Sequence, residues 1–383
     1  MIKKLVLLAS IACLFLGILS PGLVQAQGEL TILDSSVQLE FPTRLNFSVS
    51  AQSDVNITDI RLHYTVDQLS HAQVTSEVYI EFVPATTVQT SWTWDMRRTG
   101  GLPPGSRIEY WWTVKDAEGD EAETFPVQIQ FDDARYSWHS VIEVEVTIYW
   151  YKGDESFAQE LMATAQQALV RLGEYTGAKL EKPVKLYIYA SAGDLQGSMI
   201  YPQEWTGGVA FTRYGIMAIG IGPSNLDWGR RAIAHELTHL VIHQITLNPY
   251  SGLPTWLDEG LAMHTEGPLE PVFTTYLAGA IAENSLISVQ SLSSPFSAYA
   301  EESLLSYAQS YSLVEFLVGS YGQDKMFELL NTFKQGSTYD SALERVYGFD
   351  MDGLDALWQD WVIEQNQSVE EKGIEPVLVG AGY

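Results

Sequence analysis

Two histidines four residues apart enclose a glutamate in the run His235-Glu236-Leu237-Thr238-His239. On a helix, positions i and i+4 share one face, so both imidazoles can address a single metal ion. Glu236 stands one residue beyond the first histidine, off that axis yet close enough to reach an activated water. A catalytic Zn²⁺ takes three protein ligands and leaves a fourth position open. Glu259, in the run Trp256-Leu257-Asp258-Glu259-Gly260, is the candidate third ligand. Such a set suits hydrolysis. The ion brings the pKa of a water toward neutrality and polarises a carbonyl, while Glu236 takes the proton and later delivers it to a leaving amine.

The residues around the motif describe the helix that must carry it. Ala232-Ile233-Ala234 before it and Leu240-Val241-Ile242 after it give the apolar flank of a buried helix. Asp227, just before Trp228, is expected to cap its N-terminus. Upstream, Gly207 to Phe211, Tyr214-Gly215 and Ile216 to Ile221 read as a hairpin with glycines at its ends and turn. His243 follows His239 by four residues with no glycine between them to turn the chain. It therefore reads as a packed or supporting residue rather than a third histidine ligand.

With these runs in view, the chain resembles a gluzincin, the thermolysin-like group of zinc peptidases, and most closely the bacterial peptidase MA-like family. The resemblance is carried by Ala234 to His239, by Pro254 to Ala262, and more softly by Tyr307 to Val314 running on to Tyr321-Gly322. It implies one catalytic Zn²⁺ held by His235, His239 and Glu259, with Glu236 as general base. Related aminopeptidases place a tyrosine on a later helix against the oxyanion, which points to Tyr307, with Tyr311 one turn on as the alternative. The family also lines its cleft with a sheet edge that pairs with extended substrate, making Gly208, Val209 and Ala210 candidates for backbone contacts. Asp258 and His264 are candidates to orient the ligands from behind. Gly279 to Asn284 echoes only faintly the Gly-x-Met-Glu-Asn signature of aminopeptidases and lies on the wrong side of the zinc motif. An endopeptidase is therefore expected. A His₂Glu site would also accept cobalt or manganese.

The N-terminus suggests where such an enzyme works. Lys3-Lys4, the apolar run Leu5 to Ser20 and the small-residue site Val24-Gln25-Ala26 read as a signal peptide cleaved after Ala26, with a retained anchor as the alternative. Cys13, the only cysteine, lies inside it, so the mature chain would have no disulfides. The formal charge of −27 becomes −27 − 2 = −29 when Lys3 and Lys4 leave. Such an acid excess argues against nucleic acid or an anionic surface as partner. The expected partner is a peptide or protein substrate, and no later run is long enough to span a membrane.

The fold class expected is multidomain. Residues 27–134 read as an all-β, immunoglobulin- or fibronectin-like sandwich, from short alternating runs at Leu45–Val49, Ile60–Val66, Val78–Val83, Ile108–Val114 and Phe125–Ile129. Residues 135–368 read as an α+β gluzincin domain: strand Val144–Tyr151, helix Ser156–Leu172, strand Val184–Tyr189, the hairpin, the metal helix, then helices throughout. Residues 369–383 read as a loose tail. The function expected is a secreted zinc peptidase. Its rivals are a non-catalytic surface or adhesion module on the same scaffold, and a zinc hydrolase of a non-protein envelope substrate.

Overall fold

A computed structural model describes residues 30–371 except 204, 205 and 298, and except the side chains of 300–302 and 367–371. The segment 1–26 expected as a signal peptide, with Cys13, and the part of the expected tail beyond 371 lie outside the described residues.

The N-terminal part is built on β-sheet, with one short 3-10 turn at Met96–Arg98. It comprises β1 (Thr31–Glu40), β2 (Arg44–Val66), β3 (Ser76–Tyr79), β4 (Ala85–Asp95), β5 (Ser106–Asp116), β6 (Glu121–Glu123) and β7 (Val127–Phe131), paired antiparallel. The expected strands Leu45–Val49 and Ile60–Val66 are one strand, β2. Its first part pairs with β1 and β4, its second with β3 and β5, and the register shifts between Gln52 and Ile57. The polar residues at the shift suggested a turn. They stay in the strand because buried Ser53 donates to Asp116 Oδ2 at 2.8 Å, so its hydroxyl is satisfied without water. Leu45, Phe47 and Val49 of the first part share a core with Leu62, Tyr110 and Trp112, and the Phe47 and Tyr110 rings meet edge-on at 5.0 Å.

The second part opens with β8 (His139–Glu143) and β9 (Val146–Trp150), then α1 (Glu155–Thr176), β10 (Val184–Tyr189), α2 (Ala192–Gln196), β11 (Gly208–Phe211) and β12 (Ile216–Gly220). The expected strand Val144–Tyr151 begins two residues later, because Val144, at φ 52°, sits in the turn that β8 makes with β9. The sheet order is β11-β12-β10-β9-β8. Its middle three strands run parallel and both edge strands antiparallel. Val184, Leu186 and Ile188 alternate onto the face packed against α1 and the metal helix, α3 (Leu226–Ile245).

From there the chain is helical: α4 (Thr255–Glu266), α5 (Pro271–Ala282), α6 (Val289–Leu292), α7 (Ala300–Tyr321), α8 (Gln323–Lys334), α9 (Tyr339–Tyr347) and α10 (Met351–Glu371). They enclose a second core that includes Trp256, Leu313, Leu317, Phe333 and Trp358. Helix α10 extends into the segment expected as tail. The molecule thus joins a sheet-rich N-terminal region to a helical C-terminal one. The metal motif lies where the mixed sheet meets the helices. Among the described residues no helix is long and apolar enough to cross a membrane.

Candidate metal centre

Helix α3 starts after Asn225 and not after Asp227. Asp227 lies in the first turn and pairs with Arg230 at 2.6 Å, where an acid still gains from the helix dipole without capping. Pointing toward α4, His235 and His239 bring their Nε2 atoms within 3.2 Å of each other. Glu259 on α4 places Oε2 3.4 Å from His235 Nε2 and 3.7 Å from His239 Nε2.

These separations can be compared with what an ion requires. Ligand bonds of about 2.1 Å in a tetrahedral zinc site set the ligand atoms roughly 3.4 Å apart. Glu259 Oε2 is moreover a buried carboxylate oxygen with no hydrogen-bond donor among the described residues, which is costly unless a cation meets it. The donor set, two imidazoles and one carboxylate, therefore fits Zn²⁺ in type and spacing.

Behind the imidazoles lie further carboxylates. His235 Nδ1 faces Glu266 Oε1 at 2.7 Å, and His239 Nδ1 faces Asp258 Oδ1 at 3.1 Å. An Nδ1–H donated to a carboxylate leaves the Nε2 lone pair free for a metal. Asp258 Oδ2 in turn meets His243 Nε2 at 2.9 Å. His239, His243 and Asp258 are close enough to be a second ligand cluster. They share His239, whose Nε2 already faces Glu259, so they support the first cluster and do not form another.

Electrostatics follow from burial and these pairs. Burial opposes charge on His235, but Glu259 and Glu266 outweigh it and hold its pKa well above the usual value. His239 is likewise opposed by burial, and Asp258 and Glu259 raise it to about 9. Despite burial, His239 and His243 draw Asp258 below the ordinary carboxylate value, and His239 and His235 do the same for Glu259. Glu236 goes the other way. Burial raises its pKa, only partly offset by His235 and His239.

Glu236 borders a cleft of about 400 Å³ whose other walls include Gly208, Trp228, Met263, Phe273 and Tyr307. A larger cavity of about 800 Å³, between α1, α8 and the β8–β9 turn, contains none of the site residues. Tyr307 therefore reaches the cleft. Tyr311, one turn on, is buried against His264, with ring centroids 5.4 Å apart. His264, expected behind a ligand, gives Nε2 to Glu315 at 2.9 Å and packs edge-on to Tyr175. It lies on the face of α4 turned to α7, away from the imidazoles. Gly208, Val209 and Ala210 lie on β11, which pairs with β12 on one side only among the described residues. A Cβ at 208 would come within 2.9 Å of Glu236 Oε1, so glycine is what lets the strand approach Glu236. Glu266 was not among the expected residues. Its signal was its place seven residues after Glu259, two helical turns on and facing the same side.

The family model for the Peptidase MA superfamily matches residues 164–364, just over half of the chain and the whole of this site. The chain belongs to the Peptidase MA superfamily. A search of the curated proteins finds no match for this superfamily member. Among solved structures it is similar to wild-type OgpA from Akkermansia muciniphila, at 11% identity and a TM-score of 0.22, over 29% of this chain and 30% of that one. It is also similar to Legionella pneumophila aminopeptidase A, at 9% identity and a TM-score of 0.41, over 88% of this chain and 50% of that one. A third similarity is to the M1 zinc metallopeptidase from Deinococcus radiodurans, at 13% identity and a TM-score of 0.36, over 90% and 95% of the two chains. The match to OgpA thus spans under a third of that protein's length.

Proposed function

We propose that this Peptidase MA superfamily member is a secreted, zinc-dependent endopeptidase of gluzincin, thermolysin-like type. One observation carries the reading: His235 Nε2, His239 Nε2 and the unpartnered Glu259 Oε2 converge within 4.8 Å beside a cleft that also holds Glu236 and Tyr307. Those three residues would hold Zn²⁺, which supplies Lewis acidity to activate water and polarise a carbonyl.

The chain's own groups supply the rest. Glu236, its pKa raised by burial, is poised to accept a proton from water and return it to the leaving amine. Tyr307 keeps its proton, because burial and the nearby Glu259, Glu236 and Glu266 raise its pKa, so it serves as donor to the carbonyl oxygen as charge develops. The open edge of β11 offers main-chain groups to an extended peptide. No acidic residue stands on β11 to grip a free N-terminus, which favours cleavage within a chain. For the N-terminal domain we favour an immunoglobulin-like sandwich, since both parts of β2 share one core. Secretion rests on the signal-like segment 1–26.

The test is mass-spectrometric cleavage of a diverse peptide library by residues 27–383 with added zinc, beside Glu236→Gln. Internal cuts by the parent alone are the expected result. Cuts confined to the first residue would make it an aminopeptidase, and equal cutting by both proteins would remove Glu236 from the chemistry.

A further inference from the structure

Arg231, His235, His239 and His243 fall at intervals of four on α3, so they form one stripe along that helix. From α4 the carboxylates of Asp258, Glu259 and Glu266 face it. The contacts interlock. Glu259 sits between His235 and His239. Asp258 sits between His239 and His243, at 3.1 and 2.9 Å. Glu266 sits between His235 and Arg231, with Oε1 2.7 Å from His235 Nδ1 and Oε2 2.9 Å from Arg231 Nη2. The three candidate ligands occupy the middle of this zipper, and Arg231 and His243 close its ends.

The ends have a job that the middle cannot do. Glu266 reaches His235 through one oxygen only, and its side chain is only 10% exposed. Without Arg231 its other oxygen would be left almost dry and unpaired, and the carboxylate would rotate to find a partner. Arg231 is itself held. Its Nη1 donates to Pro268 O at 3.3 Å and its Nε stands 3.6 Å from Glu270. The contact to Glu266 is a close ion pair rather than an aligned hydrogen bond, so it restrains position more than it adds bond energy. A planar guanidinium can serve three such partners at once, whereas an ammonium acts as a point charge.

We propose that Arg231 is a positioning residue of the metal centre: by fixing Glu266 it fixes the ring plane and tautomer of His235, as His243 does for His239 through Asp258. Arg231 acts on the chemistry only through Glu266. The inference rests on the zinc reading above.

It is tested by zinc affinity, measured by competition with a chromophoric chelator, on metal-stripped full-length protein. Arg231→Met should bind Zn²⁺ about 10- to 100-fold more weakly, the scale of losses for residues that orient a ligand. Arg231→Lys should lie between it and the parent, and His243→Gln should show a similar loss. Because Arg231 works through Glu266, Arg231→Met combined with Glu266→Gln should lose no more than Glu266→Gln alone. A purely structural role would lower the metal-free melting temperature and leave zinc affinity unchanged. That outcome overturns the proposal while the zinc reading stands, and so do additive losses. If Arg231→Met does not fold, Arg231→Lys against Glu266→Gln carries the same comparison. A parent that takes up no zinc defeats the zinc reading itself, and the positioning role with it.

Discussion

Tyr307 and Tyr311 stand one turn apart on α7, and their surroundings divide their roles. Tyr307 lines the cleft beside Glu236. Tyr311 is buried against His264, near Glu315. Both keep their protons, since burial raises each pKa, but of the two only Tyr307 lines the cleft beside Glu236. Tyr307→Phe should therefore lower kcat by about 10²- to 10³-fold, the usual loss for one oxyanion donor, with zinc content unchanged. Tyr311→Phe should leave kcat near the parent's. Steady-state kinetics with metal analysis decides, and the reverse pattern would move the donor one turn along α7. This pair marks the limit of sequence reading at the residue scale. His235, His239 and Glu236 are legible because i,i+4 geometry is a local property of one helix, and Glu259 because of its distinctive run. Neighbouring tyrosines on one helix differ only in what other elements bring to them, which no local pattern records. His264 shows the same limit: its partner, Glu315, belongs to a different helix.

At the scale of elements, two glycines set how closely the parts of the site approach. At Gly208 a Cβ would lie 2.9 Å from Glu236 Oε1 and 3.3 Å from its Cγ. Gly208→Ala should therefore displace Glu236, the proposed base, and lower turnover by at least about tenfold, the scale attached to general-base placement, while zinc content and melting temperature change little. Gly260, next to Glu259, packs α4 on α7: a Cβ there would meet Val314 Cγ2 at 2.7 Å and the Ser310 carbonyl carbon at 2.9 Å. Gly260→Ala should cost about 1–3 kcal/mol by overpacking. It should also weaken zinc retention, because the helix that shifts carries Glu259, the proposed third ligand. If it melts and binds zinc like the parent, α4 and α7 have more slack than their spacing implies. The elements themselves were largely legible. Strand Val184–Tyr189 is legible as a short apolar run, buried on both faces, and helices α8 and α9 from periodicity, because each buries one regular face; the single turn of α6 is too short to show one. β2 was not legible as one strand, since the polar residues at its register shift imitate a turn and Asp116, far along the chain, satisfies Ser53.

At the scale of the whole molecule, an aromatic seam joins the two regions. Asp133, wholly buried just after β7, receives a hydrogen bond from Tyr189 of β10 at 3.0 Å and pairs with Arg135 at 2.6 Å. Tyr136 stacks on Tyr151 at 4.0 Å, and Trp138 meets Tyr151, Tyr187 and Tyr189 edge-on. Lys185 of the mixed sheet donates to Gly105 O at 2.9 Å, and Gly105, at φ 78°, leaves room for the Tyr187 ring. Burial first of all raises the pKa of Tyr151, Tyr187 and Tyr189 above the ordinary phenol value. The sign of the pH effect follows. An unfolded tyrosine ionises near pH 10 while the folded one resists, so the stability these residues contribute is fully present below about pH 10 and is lost as pH rises above it. For fully buried Tyr187 and Tyr189 the loss approaches about 1.4 kcal/mol per pH unit each. Between about pH 10 and 12 the protein should therefore unfold cooperatively, both regions together, with a late burst of phenolate absorbance that coincides with the loss of far-UV circular dichroism. Tyr187→Phe, which removes one ionising group from the seam, should move that midpoint to higher pH. If the buried tyrosines instead titrate smoothly near pH 10 with the fold intact, the seam admits water and the two regions are coupled less tightly than their packing implies.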